Sequence, residues 1–214
     1  MRFASLVVLS LALASTPALA QYLWSYDNGP INGTTDAWTI NFGYIVSDTF
    51  TAGPGSITGF QFGVWEFSGD VLSSVGWSIT SAENSGTVFG SGVASGSNVS
   101  DSFISSNQYG YDVDTITVTG LYVSTTTSGT KYWLNLYNAA VPNGDPVYWD
   151  ENSGKGCGGL KGQDCPSSAS ESAVGTIPSE SFTISGISTI PEPSSIMLFG
   201  SGLLGLAGLL RRKL

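Results

Sequence analysis

The sequence predicts an all-β fold, an antiparallel β-sandwich of the jelly-roll kind, on three observations. Apolar and polar residues alternate with period two in many short segments between Gln21 and Ile190. No segment there keeps apolar residues at helical spacing for three turns. Clusters of Gly, Pro, Asn and Asp separate the alternating runs, as tight turns between half-buried strands require.

Taken in chain order, Trp38 to Phe42 and Val46 to Phe50 are strand candidates, closed by the turn cluster Ala52-Gly53-Pro54-Gly55. Phe60, Phe62 and Val64 then alternate with Gln61, Gly63 and Trp65, and Val75, Trp77 and Ile79 with Gly76, Ser78 and Thr80. Glu83-Asn84-Ser85-Gly86 is a turn before Thr87 to Val93. Ser102 to Ser105 and Asp114 to Val123 follow. Tyr132, Leu134 and Leu136 oppose Trp133, Asn135 and Tyr137, and Pro142 to Pro146 turns the chain again. Ser168 to Ala173 is expected to make one helical turn, and Phe182 with Ile184 closes the series. About nine or ten short strands with such spacing suit a two-sheet sandwich. No internal repeat points to a propeller or β-helix.

Composition excludes whole classes of function. The chain has 214 residues and no histidine, which removes Ser-His-Asp and Cys-His nucleophile systems and His-ligated zinc. Four of the seven basic residues lie at the ends, so residues 21–190 carry three lysines against fifteen acids, a net charge of −12. That field repels phosphate backbones, and no nucleic-acid partner is expected.

The two ends look like addresses. Arg2, the apolar run Leu6 to Leu13 and the small-x-small end Ala18-Leu19-Ala20 have the layout of a signal peptide, residues 1–20, for signal peptidase and the general secretion machinery. Export suits the two cysteines. Cys157 and Cys165 flank a Gly-rich stretch and are expected to pair, closing a nine-residue loop worth about 2.5 kcal/mol by chain entropy. Residues 21–188 form the expected ectodomain. At the far end, residues 194–210 carry no charge and precede Arg211, Arg212 and Lys213. A helix of that length spans about 26 Å, the short end of a transmembrane span, and the cations would stop transfer. Gly200-x-Gly202-x-x-Gly205 within it lacks a preceding strand and is no dinucleotide site.

Pro191-Glu192-Pro193 stands immediately before this span, stiff and free of helix. Pro-Glu-Pro, a short apolar span and a terminal basic cluster, in that order over residues 189–214, resemble the PEP-CTERM sorting signal of bacterial surface proteins. The resemblance implies that an exosortase-type enzyme reads Pro191, Glu192 and Pro193 while the apolar span holds them at the membrane. The mature protein would leave this transient anchor for the cell surface or extracellular matrix. Gly59 to Trp65, Trp77 to Thr80, Tyr132 to Leu136, Val147 to Asn152 and Ile177 to Phe182 are also similar to stretches of other small exported proteins with such tails, which adds no chemistry.

The chemistry within the domain is sparse. Ser128-x-x-Lys131 matches a penicillin-enzyme pattern, but Lys131 opens a strand, where three residues span about 10 Å. Glu66 beside Trp65, and Asp150 with Glu151 beside Trp149, are the local candidates for a glycosidase carboxylate pair. Asp150 and Asn152, joined by Asp112 and Asp114, offer hard oxygen ligands that would suit calcium, the one cofactor expected if any binds. Trp65, Trp133, Tyr148 and Trp149 are candidates for a sugar-stacking surface. The leading expectation is a non-enzymatic exported protein of the cell surface or its exopolysaccharide matrix. A lectin-like, calcium-assisted module is the first alternative, and a carboxylate-based glycan-active enzyme the second.

Overall fold

Alternating segments become strands where their apolar members find a facing sheet. A computed structural model describes residues 19–125, 129–152 and 168–191. In chain order the strands are β1 (Leu19–Asp27), β2 (Ala37–Thr39), β3 (Ile45–Thr51), β4 (Gly55–Glu66), β5 (Ser74–Ala82), β6 (Ser85–Ser95) and β7 (Val99–Ser106). They continue as β8 (Asp112–Val118), β9 (Val123–Thr125), β10 (Lys131–Ala140), β11 (Tyr148–Asp150), β12 (Ala169–Glu171), β13 (Gly175–Ile177) and β14 (Phe182–Pro191). Residues Leu23–Ser188 form one unit. Residues 19–22 and 189–191 are the described part of a second, to which the chain ends belong.

The eight principal strands, numbered in chain order, are β1, β3, β4, β5, β6, β8, β10 and β14. One sheet orders them β1-β14-β4-β8 and the other β3-β10-β5-β6. That is first-eighth-third-sixth against second-seventh-fourth-fifth, the connectivity of a jelly roll. β4 is long enough to meet β14 and β11 along one edge and β9 and β8 along the other. β7 lies outside β8, and β2 outside β11. β12 and β13 extend the second sheet beyond β3.

Register decides which side chains face the interior. Phe60 stands opposite Val118, and Phe62 opposite both Ile116 and Phe182. In the other sheet Leu134 pairs with Ile79 and Leu136 with Trp77. These faces meet. Phe60 and Trp77 make an edge contact at 6.3 Å, and Phe50 and Phe182 one at 6.4 Å. Cross-sheet aromatic contact of this kind is how a sandwich closes its core.

Three expectations change. The strand expected over Trp38 to Phe42 stops at Thr39, because the chain turns there: Tyr44 N–H donates to the Asn41 carbonyl at 3.0 Å and Phe42 adopts φ +54°. The expected helical turn at Ser168 to Ala173 is instead β12 followed by a turn. Glu171 Oε2 accepts the N–H groups of Ala173 and Val174 at 3.0 and 2.9 Å, which satisfies the turn and leaves residues 169–171 to pair with β3. The single run expected over Asp114 to Val123 divides into β8 and β9 around Gly120, whose φ is +75°.

β1 opens at Leu19, two residues before the expected signal cleavage, and residues 1–18 lie outside the described ones. So do Cys157 and Cys165, Glu192 and Pro193, the expected membrane helix 194–210, and Arg211, Arg212 and Lys213. Among the described residues no helix is long and apolar enough to cross a membrane.

Candidate functional site

The inward face of β4 runs Phe60, Phe62, Val64 and then Glu66, so an apolar column ends in a carboxylate. Its partner column on β8 does the same. Val118 and Ile116 are followed by Asp114, opposite Val64, and Asp112, opposite Glu66. β7 adds Asp101, opposite Ile116. Three strands therefore deliver acids to one end of the sandwich. Glu66 and Asp114 are 0 % and 3 % exposed, Asp101 is half-buried, and one oxygen from each lies within 4.8 Å of the other two. Neither Glu66 oxygen has a hydrogen-bond partner.

The loop from Phe67 to Ser73 is tied to this cluster. Leu72 N–H donates to Asp101 Oδ2 at 2.7 Å, and Gly69 N–H to Asp112 Oδ2 at 3.2 Å. Gly69 takes φ +87°, a conformation glycine reaches without strain. Asp70 Oδ1 accepts from Asn143 Nδ2 at 2.6 Å, whereas its Oδ2 is buried and unpartnered.

Crowding of like charges sets the electrostatics. Burial pushes the Glu66 carboxyl up to about 8, and the charges of Asp101, Asp114, Asp70 and Asp112 add to the effect. Burial, with Asp101 and Asp112, raises Asp114 to about 6. Burial also raises Asp101, against the N–H bonds from Leu72 and Ser102. Asp112 moves the other way, held low chiefly by the Ser106 hydroxyl, which donates to it at 2.8 Å.

The calcium set expected from sequence does not assemble. Asp112 and Asp114 face inward, but Asp150 follows the inward-facing Trp149 and points to the opposite face of the sheet, with Trp65. There its oxygens accept from Trp65 Nε1 (2.6 Å), Asn32 N–H (3.0 Å), Gly33 N–H (3.1 Å) and Ser181 Oγ (3.2 Å). Four donors leave this carboxylate engaged. The Asn152 amide nitrogen donates to the carbonyls of Asn28 and Glu180 and to Ser179 Oγ. The sheet separates Asp150 from Asp112 and Asp114, and Asn152 is bound instead to Asn28, Ser179 and Glu180.

A second acidic network lies inside the sandwich, and sequence reasoning missed it. Asp48 faces inward between Val46 and Phe50 and accepts from Glu180 N–H at 2.7 Å and Asn28 Nδ2 at 3.1 Å. Glu180 is fully buried with both oxygens unpartnered, and burial holds its carboxyl well above the usual range, with Asp48 and Glu151 adding to the shift. Glu151 accepts Trp38 Nε1 at 2.6 Å. The period-two pattern of Val46-Ser-Asp48-Thr-Phe50 was the available signal, since it places Asp48 on the apolar face.

The expected sugar-stacking rings also divide. Trp149 is fully buried in the core, edge-on to Phe62 and Phe182, with its Nε1 donating to the Ser181 carbonyl at 2.9 Å. Trp65 is 5 % exposed because Tyr109 stacks on it at 5.5 Å and Tyr111 leans on it at 6.1 Å. Neither tryptophan is a free platform. Trp133 and Tyr148 are half-buried. Tyr111 joins Tyr148 at 5.6 Å and Phe67 at 5.2 Å, so the outer rings of this patch are Tyr109 and Phe67, 56 % and 42 % exposed. Lys131 is exposed at the start of β10, while Ser128 lies outside the described residues.

No curated protein matches the chain. Pro191, the last residue of β14, is where the described chain ends and the Pro-Glu-Pro motif begins. Residues 189–213 match the family profile of the PEP-CTERM protein-sorting motif. The chain thus carries a PEP-CTERM signal, which implies export, handling by secretion machinery and an exosortase-type enzyme, and anchoring or processing at the membrane through its C-terminus.

Proposed function

We propose that the jelly-roll body is a non-enzymatic cargo, held briefly at the membrane by its tail and then delivered to the cell surface or its exopolysaccharide matrix. The PEP-CTERM match at residues 189–213 carries this reading. The body's chemistry supports it. Glu66 and Asp114, which bring carboxylate oxygens within 4.8 Å of each other, are both buried, whereas glycoside hydrolysis needs two acids flanking an open substrate site. A surface hollow of about 270 Å³ beside Asn41, Phe42 and Val141 is lined by a single acid, Asp145. In the producing cell, the chain with Pro191, Glu192 and Pro193 all changed to alanine is expected to remain uncut in the membrane fraction. A copy lacking residues 192–214 should bypass the membrane stage. Wild-type size and destination for both variants would refute the proposal.

Glycan binding is a second reading, favoured by the ring patch of Tyr109, Tyr111 and Phe67 over Trp65. Aromatic faces stack on the apolar faces of sugar rings. On a glycan array the full chain should bind, and Tyr109→Ala should lose at least tenfold in affinity. Binding that survives this change would put the ligand elsewhere.

A further inference from the structure

The jelly roll ends its inner apolar columns in carboxylates on three different strands, and no cation among the described residues neutralises them. We propose that Glu66, Asp101 and Asp114 bind one calcium ion, which clasps β4, β7 and β8 at the end of the sandwich. Three observations converge on it. The ligand oxygens all lie within 4.8 Å of one another. A calcium ion about 2.4 Å from each oxygen accepts ligands up to about 4.8 Å apart, so the three oxygens can share one ion. Glu66 is fully buried, is aimed at the other two acids and has both oxygens unpartnered, a costly arrangement without an ion to receive them.

The third observation concerns the rest of the shell. Calcium takes six to eight oxygens, supplied in part by water. The buried, unpartnered Oδ2 of Asp70 belongs to a residue whose charge acts on Glu66, and Asp112 stands beside Glu66 in register. Two further carboxylates therefore adjoin the three ligands. Among the described residues the group offers carboxylate oxygens alone, which suits a hard cation. Leu72 and Gly69 donate to Asp101 and Asp112, so an ion held by these acids also fixes the loop between β4 and β5. The ion would be structural, and the proposal stands apart from the sorting reading.

The test uses the full chain, stripped with EDTA and titrated with calcium chloride, with magnesium chloride in parallel. Calorimetry should count one calcium per chain, and the thermal midpoint should rise by about 5 °C at about 10 mM calcium. Glu66→Gln and Asp114→Asn should abolish both effects, and Asp101→Asn should weaken binding at least tenfold. Asp145→Asn, away from the cluster, should behave as wild type. Glu66→Gln removes a charge that burial opposes, so it should fold in EDTA at least as well as the parent, and the comparison does not rest on a broken protein. Absence of calcium uptake by the wild type would overturn the proposal. So would uptake unchanged by Glu66→Gln and Asp114→Asn, or an equal response to magnesium.

Discussion

Glu66 shows how one inward position can dominate the response of the protein to pH. Without a cation its carboxyl keeps a proton up to about pH 8, whereas in the unfolded chain it ionises near 4.5. Between those values the folded state binds more protons than the unfolded state, so stability falls as pH rises through that window. Above about 8 both states are ionised and the slope from this group ends. The groups facing it are Asp101 on β7, Asp114 and Asp112 on β8, and Asp70 in the loop before β5; Asp114, raised to about 6, adds a slope of the same sign. Urea denaturation in EDTA should find the chain less stable at pH 8 than at pH 5, by on the order of 4 kcal/mol from Glu66. Glu66→Gln should be flatter across the same range. Equal slopes for the two proteins would show that Glu66 does not hold the proton. Glu180, buried with Asp48 and Glu151 near it, acts in the same direction, so some slope should survive the substitution.

At the scale of elements, β10 displays the alternation most plainly. It is central in its sheet, paired with β3 on one side and β5 on the other. Tyr132, Leu134 and Leu136 point into the core, and Trp133 and Tyr137 point away from it, as their spacing predicts. Leu134→Ala should therefore cost about 3 kcal/mol in a urea titration, through lost burial and a cavity. Trp133→Ala, on the half-buried outer face, should cost less than half as much. Comparable losses would mean that the register is misassigned. Shorter elements were hidden for a physical reason. β11 has three residues, too few for alternation to show, and becomes a strand only because β2 and β4 lie on either side of it. Ser168 to Ala173 misled for a related reason: the Glu171 carboxylate closes a turn, and neighbouring β3 recruits the three residues before it.

Across the whole molecule, information is divided between a signal read along the chain and a body read through its fold. The tail was legible residue by residue. Pro191, Glu192 and Pro193, the uncharged run after them and the terminal cations are recognised by order along the chain, which needs no packing partner. The strand character of the body was legible too, because period-two burial is a local property of extended chain. Which acids meet was not. Asp150 lies beside Trp149 in sequence, yet the sheet divides it from Asp112 and Asp114, while Glu66 meets Asp101 and Asp114 across 35 and 48 residues of chain. Trp149, an expected surface ring, is core because its strand pairs beside Val64. The amino-acid order alone thus determined the address and the β-rich class of the body. The tertiary structure decided the grouping of its carboxylates and rings, since strand pairing sets the face and neighbours of every side chain and the partners are distant along the chain.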